Sequence, residues 1–182
     1  MSDEIRKWEK HASRVVSDHR IFKIREDHTT NPRTGSEHEM VVLECPDWVN
    51  IIALTPEREV VFVEQYRQGS ETVELEIPGG MMDPGETDPV ATALRELREE
   101  TGYTGENARL IGACYANPAI MNNRVHTILV KNCQRTHEVE WDAGEDLITR
   151  LIPEADLPRL IREGRIRHSI VVAALQYFAL TK

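Results

Sequence analysis

Apolar and polar residues alternate along much of the first third of the chain. RVVSDHRIFKIRED (residues 14–27) and EHEMVVLECPDWVNIIAL (37–54) both carry this two-residue period, with the turn-forming NPRTGS between them, the pattern of strands with one buried face. EVVFVEQYR (59–67) is a further strand. The period changes at Pro89, which follows the N-cap type Asp88; the good helix formers of ATALRELREE then run to a stop at Gly102. Strand character returns in ARLIGACYA (108–116) and RVHTILVKNC (124–133), separated by the loop NPAIMNN, and in the short DLITRLI (146–152). LPRLIREG and IVVAALQYFAL close the series as two helices, the first ended by Gly164. The order is strands, a helix, more strands and two helices, which places the chain in the α+β class.

Composition narrows the possibilities. A chain of 182 residues, 40% hydrophobic, can bury one sizeable core and is expected to form a single globular unit. No apolar run reaches membrane-spanning length, and the charged MSDEIRKWEK lacks the apolar stretch of a signal peptide, so a cytoplasmic location is expected, without membrane association. The formal charge of −9 argues against nucleic acid as a partner. A small polyanion remains possible, because a bound metal ion can supply the positive charge. Cys45, Cys114 and Cys133 are odd in number and widely spaced, and read as free thiols in strands; the seven histidines form no zinc-type spacing.

The chemistry concentrates in GGMMDPGETDPVATALRELREETGY, Gly79 to Tyr103. Glu96, Glu99 and Glu100 are spaced i, i+3 and i+4, which puts three carboxylates on one side of the helix. Crowded like charges cost stability unless a partner offsets them, and hard oxygen donors suit Mg²⁺ or Mn²⁺. Taken alone, RELREE fits an ordinary solvated helix better, since Arg95 and Arg98 interleave with the acids and Arg95–Glu99 is an i, i+4 pair. The preceding loop shifts the balance. Gly79 and Gly80 permit close approach of backbone to ligand, Asp83-Pro84-Gly85 reverses the chain, and Glu86 returns a fourth carboxylate toward the helix start.

This segment resembles the Nudix hydrolase signature: a glycine, five residues, a glutamate, seven residues, then Arg-Glu-hydrophobic-x-Glu-Glu-x-Gly-hydrophobic. Gly80, Glu86, Arg95, Glu96, Leu97, Glu99, Glu100, Gly102 and Tyr103 fill those places. One departure is that eight residues, Thr87 to Leu94, separate Glu86 from Arg95; the extra one is assigned to the loop ahead of Pro89. The preceding VVFVEQYRQGSETVELEIPGG and Pro118 are similar to the ADP-ribose pyrophosphatase and nucleoside-diphosphate-sugar hydrolase branch. The resemblance implies an α/β/α sandwich with a mixed sheet over residues 41–182. The N-terminal strand region, 1–40, would form a homodimer and help build the other subunit's site.

The resemblance also implies roles. Glu96, Glu99, Glu100 and the carbonyl of Gly80 would bind Mg²⁺ (or Mn²⁺), with Arg95 orienting the carboxylates. Arg67, together with Glu76 and Pro118, would bind a nucleoside diphosphate sugar such as ADP-ribose or GDP-mannose. The general base would come from the loop THEVEWDAGEDL, with Glu140 the first choice and Glu145 the second among its acids, Asp142 included. Trp8 and Phe22 are candidates to stack on the base, and Trp141 for a lid. Hydrolysis would give a nucleoside monophosphate and a sugar phosphate. Two rivals remain, a Nudix nucleoside triphosphate pyrophosphatase and a non-catalytic nucleotide sensor; the full glutamate set disfavours the second.

Overall fold

A computed structural model describes residues 4–141 and 143–181. In chain order the elements are β1 (Glu9–Asp18), β2 (Lys23–Thr30), β3 (Glu37–Glu44), β4 (Trp48–Ala53), β5 (Glu59–Arg67), β6 (Thr72–Glu76), β7 (Gly79–Met81), α1 (Pro89–Thr101), β8 (Tyr103–Tyr115), β9 (Arg124–Arg135) and β10 (Leu147–Pro153). A 3₁₀ turn, Glu154–Asp156, leads into α2 (Leu157–Arg162) and α3 (Ser169–Ala179). The fold is α+β, and by contacts it divides into two compact units: the chain up to Pro46 with Tyr115–Asn123, and Asp47–Cys114 with the chain from Arg124 onward.

The first unit is an antiparallel meander, β1-β2-β3. The loop after β8 joins it through Leu43 N–H to Ile120 C=O at 2.7 Å and Cys45 N–H to the Asn122 side-chain oxygen at 3.0 Å. Asp27, buried in this sheet, accepts from Nε and Nη2, one edge of the Arg25 guanidinium, at 2.9 Å each, and Nη1 turns to Glu44.

In the second unit the sheet runs β7-β4-β9-β8 and is mixed, with β4 parallel to β9 and antiparallel to β7. Strands buried on both faces read as continuous apolar runs, and β4 shows why. Val49, Ile51 and Ala53, with Ile128 and Val130 of β9, pack on Ala93 and Leu97 of α1. Ile52 and Leu54, with Leu129, pack on Val171, Ala174, Leu175 and Phe178 of α3. The sheet is thus sandwiched between helices. Beside it lies the antiparallel sheet β10-β5-β6, whose Val60 and Phe62 join the α3 side of the core while Val61 joins the α1 side.

The elements differ from the sequence reading in several places, beginning with residues 14–27, which fall in two antiparallel strands, β1 and β2, joined by a turn at 19–22. Residues 37–54 form two strands, because Pro46 cannot donate to a ladder and separates β3 from β4. The next strand, β8, starts at Tyr103, directly after the helix stop, not at residue 108. Two short strands, β6 and β7, were not anticipated, and β6 inverts the usual pattern: Val73 is 63% exposed while Glu74 and Glu76 are buried. All three cysteines are free, Cys114 and Cys133 in β8 and β9, with Cys45 just past the end of β3. Among the described residues no helix is long and apolar enough to cross a membrane.

Candidate active site

Helix α1 forms between the two caps its sequence announces. The Asp88 carboxylate accepts from the Val90 N–H at 2.9 Å, Pro89 occupies the first turn, and Gly102 adopts φ 73°, donating its N–H to Arg98 C=O at 2.8 Å. Ala93 and Leu97 are fully buried against β4 and β9. That anchoring turns the carboxylates of Glu96 and Glu100 toward β7.

The backbone of β7 meets them at close range. The Gly79 N–H donates to Glu100 Oε2 at 3.2 Å. A Cβ on Gly80 would lie 2.5 Å from the carboxylate carbon of Glu96 and 2.6 and 2.8 Å from its oxygens. Only glycine leaves room for that carboxylate. Glu100 is 6% exposed; burial raises its carboxyl well above the ordinary range, the charges of Glu96 and Glu145 add to the rise, and the Gly79 N–H and Arg67 oppose it. Burial likewise pushes Glu96 up to about 7, against the pull of Arg95 and with help from Glu99 and Glu145. Glu100, buried beside Glu96 with no salt bridge of its own among the described residues, is a carboxylate that is costly to keep charged unless a cation joins it.

Arg95 is the hub on the outer side. Its Nη1 lies 3.0 Å from Glu96 Oε1 and 3.0 Å from Glu99 Oε2, and its Nη2 3.5 Å from Glu86 Oε2. The other Glu99 oxygen is 3.3 Å from Arg98 Nη2, so both oxygens of Glu99 are engaged by arginines. Glu86 turns back on its own loop, accepting from the Asp83 N–H at 2.8 Å and the Thr92 hydroxyl at 2.9 Å. It braces Arg95 from there. Among the described residues no three His, Cys, Asp or Glu side chains converge as a ready-made metal cage.

The segment after β9 is tied to the end of α1. Thr136 and His137 N–H groups donate to Gly102 C=O, Glu140 N–H to Glu99 C=O at 2.9 Å, and the Trp141 indole N–H to Glu100 C=O at 3.0 Å. These bonds satisfy carbonyls that a helix end leaves free, and the indole contact makes Trp141 an anchor of this segment. The Glu140 carboxylate is 61% exposed and 3.8 Å from Arg98. Glu145, in contrast, acts electrostatically on both Glu96 and Glu100. Asp142 lies outside the described residues.

On β5 and β6, Arg67 grips Glu76 through Nε at 3.1 Å and Nη2 at 2.6 Å. Glu100 in turn acts on Arg67 by charge. Two residues that the sequence did not single out join here: His168 Nδ1 lies 3.0 Å from Glu76 Oε1, and Arg167 forks onto Glu74. The only signal available was a pair of acids placed where a strand should bury apolar residues. The other predicted substrate residues, Trp8, Phe22 and Pro118, belong to the first unit, where Trp8 stands 5.4 Å from the His38 ring and Phe22 4.9 Å from that of His19.

Glu96 and Glu100 of the capped helix α1 thus face the glycine strand β7, and residues 46–175 match the NUDIX domain model. The chain belongs to the Nudix family. It is 35% identical over 164 residues to a methanol dehydrogenase activator of Bacillus methanolicus, covering 88% of this chain and 86% of the relative. It is 31% identical over 147 residues to the ADP-ribose pyrophosphatase of Bacillus subtilis (strain 168), covering 80% of this chain and 79% of that one. A crystal structure of an ADP compounds hydrolase superposes with a TM-score of 0.85 at 20% identity, over 98% of this chain and 96% of the other, which bears on the fold. The protein is a Nudix hydrolase.

Proposed function

We propose that this Nudix hydrolase cleaves the diphosphate bond of nucleoside diphosphate sugars, ADP-ribose being the first candidate, in a reaction that depends on a divalent ion. The observation that carries this reading is the placement of Glu96 and Glu100 against Gly79 and Gly80, with the Arg67 cation acting on Glu100. The donor set fits Mg²⁺, which keeps several waters and is typically held by one or two carboxylates plus substrate phosphates, so a closed cage of side chains is not required. Glu96, Glu100 and a carbonyl of the Gly79–Gly80 strand would hold the ion. When bound, such an ion neutralises charge on the diphosphate and lowers the pKa of a water it holds.

The chain's own residues supply the rest. Arg95 holds Glu96 and Glu99 in place, and Arg67 meets the diphosphate through its exposed edge. Glu145 is favoured over Glu140 as the general base, because its charge bears on the carboxylate pair whereas Glu140 faces Arg98. It would take the proton as water oxygen attacks one phosphorus and the bond from that phosphorus to the bridging oxygen breaks. ADP-ribose would yield AMP and ribose 5-phosphate. The relative named ADP-ribose pyrophosphatase supports this substrate class.

The deciding experiment is a panel of ADP-ribose, GDP-mannose, UDP-glucose and dGTP, with Mg²⁺ and with chelator, read by product identity. The expected result is a higher kcat/KM for a diphosphate sugar than for dGTP, abolished by chelator. A preference for dGTP would move the protein to the triphosphate pyrophosphatases. A second reading rests on the relative named methanol dehydrogenase activator: the chain acts on a dehydrogenase. Faster turnover of purified methanol dehydrogenase on adding this protein, lost in Glu100→Gln, would support it. The exposed β1-β2-β3 sheet is proposed to pair with a second copy; light scattering is expected to report a dimer that deletion of β1 converts to monomer.

A further inference from the structure

Arg67, Glu76 and His168 form a chain of three side chains drawn from β5, β6 and the residue before α3. Glu76 is the middle member, its side chain 4% exposed. Burial by itself would raise its carboxyl, but His168 and Arg67 outweigh that and hold it below the ordinary range, so it stays an anion. A guanidinium is planar and rigid, so clamping one edge fixes the direction of the other. Glu76 takes the Nε and Nη2 edge of Arg67, whose side chain is 43% exposed, and Nη1 has no partner among the described residues.

His168 stands on the far side of Glu76. Its Nδ1 is buried, lies 3.0 Å from Oε1 and meets no other partner among the described residues. At that atom the imidazole faces Glu76. Helix α3 is fixed to the central sheet by Val171 and Ala174 and by the Asn50 side-chain amide, which donates to Ile170 C=O at 3.1 Å. The ring thus sits on a rigid support. Neighbouring Arg167 is paired with Glu74 and Thr72, leaving Glu76 to His168 and Arg67.

Resting on the proposed role of Arg67 at the diphosphate, we propose that His168 is a positioning residue: it holds Glu76, which aims the free edge of Arg67 at the substrate. The ring touches no reacting atom. Its loss therefore weakens the grip on a diphosphate while leaving the carboxylate chemistry of α1 in place.

The test is steady-state kinetics on ADP-ribose with Mg²⁺ for the full chain and for His168→Ala, His168→Asn, Arg67→Ala and the double variant His168→Ala/Arg67→Ala. The expected result is about a tenfold rise in KM for His168→Ala with kcat within twofold, recovered in His168→Asn, whose side chain offers a donor near the Nδ1 position. The double variant is expected to match Arg67→Ala, because the histidine acts only through the arginine. A merely structural role predicts otherwise: a lowered Tm, a KM unchanged, or an effect that adds to that of Arg67→Ala, and each of these overturns the proposal. Should His168→Ala fail to fold, Glu76→Gln replaces it and must show the same KM rise and the same non-additivity. An unchanged KM in Arg67→Ala overturns the role of Arg67 and this inference together. Failure of the unsubstituted protein to cleave ADP-ribose is the distinct result that removes the substrate assignment itself.

Discussion

The Glu96 carboxylate occupies the space that a side chain on Gly80 would fill. This one contact couples the loop strand to the helix, and it explains why a glycine stands there although its backbone is ordinary extended strand. The clash in Gly80→Ala would be with the far end of a flexible side chain, so the fold should survive with little change in Tm. Glu96 would be displaced. Misplacement of about 1 Å in such a site costs on the order of 100-fold in rate, and that is the expected loss in kcat/KM for Gly80→Ala, measured on ADP-ribose.

Glu100→Gln separates folding from function in the opposite sense. The glutamate is buried beside Glu96 and within reach of the charge of Glu145, so an isosteric amide relieves repulsion in the metal-free protein. Thermal melts in chelator should show Glu100→Gln at least as stable as the parent. With Mg²⁺ the order reverses, since the parent should gain stability by binding the ion and the variant should not. Activity should fall to a small residue. Equal Mg²⁺-induced shifts in the two proteins would exclude Glu100 as a ligand.

What could be read in advance, and what could not, follows from where each signal resides. Asp88, Pro89 and Gly102 act within one turn of chain, so α1 and its acidic face were legible to the residue. Residues 37–54 read as strand with one buried face, and only the packing of Ile51 and Ala53 toward α1 and of Ile52 toward α3 shows β4 buried on both. Strand β6 buries Glu74 and Glu76 and exposes Val73; its partners Arg167 and His168 lie about ninety residues away, and no local pattern points to them. Glu99 has the right helical phase, yet Arg95 and Arg98 hold both of its oxygens, because phase gives the side of a helix and not the rotamer. The preference between Glu140 and Glu145 depends on how the segment after β9 is tied to α1, a matter of backbone bonds rather than residue type.

Stability at low pH should depend on Glu74. Its carboxyl is lowered from 4.5 to about 2, first by Arg167 and then by Thr72, whose hydroxyl donates at 2.6 Å. A group whose pKa is depressed on folding contributes stability above its unfolded value and loses it as pH falls toward the folded one. Urea midpoints of the parent and Glu74→Gln should therefore differ most at neutral pH, with the parent more stable. The gap should close between pH 4.5 and about 2. A gap independent of pH would show that the charge of Glu74 is not what Arg167 recognises.

The general base is testable because a base and a ligand fail differently. Replacing a base lowers kcat and leaves ion affinity nearly intact, and such assistance is worth roughly 10²- to 10⁴-fold. Glu145 acts on both helix carboxylates, whereas Glu140 is exposed and sits against Arg98. Glu145→Gln is expected to lose at least 100-fold in kcat at saturating Mg²⁺, while Glu140→Gln should stay within a few-fold of the parent. The Mg²⁺ concentration for half-maximal rate distinguishes the roles: unchanged in Glu145→Gln for a base, raised many-fold for a ligand. If Glu140→Gln proves the inactive variant, the Arg98 contact must break on substrate binding and the base assignment passes to Glu140. If neither substitution matters, proton removal falls to the α1 carboxylates, and Glu96, beside Arg95 and Gly80, becomes the residue to change next.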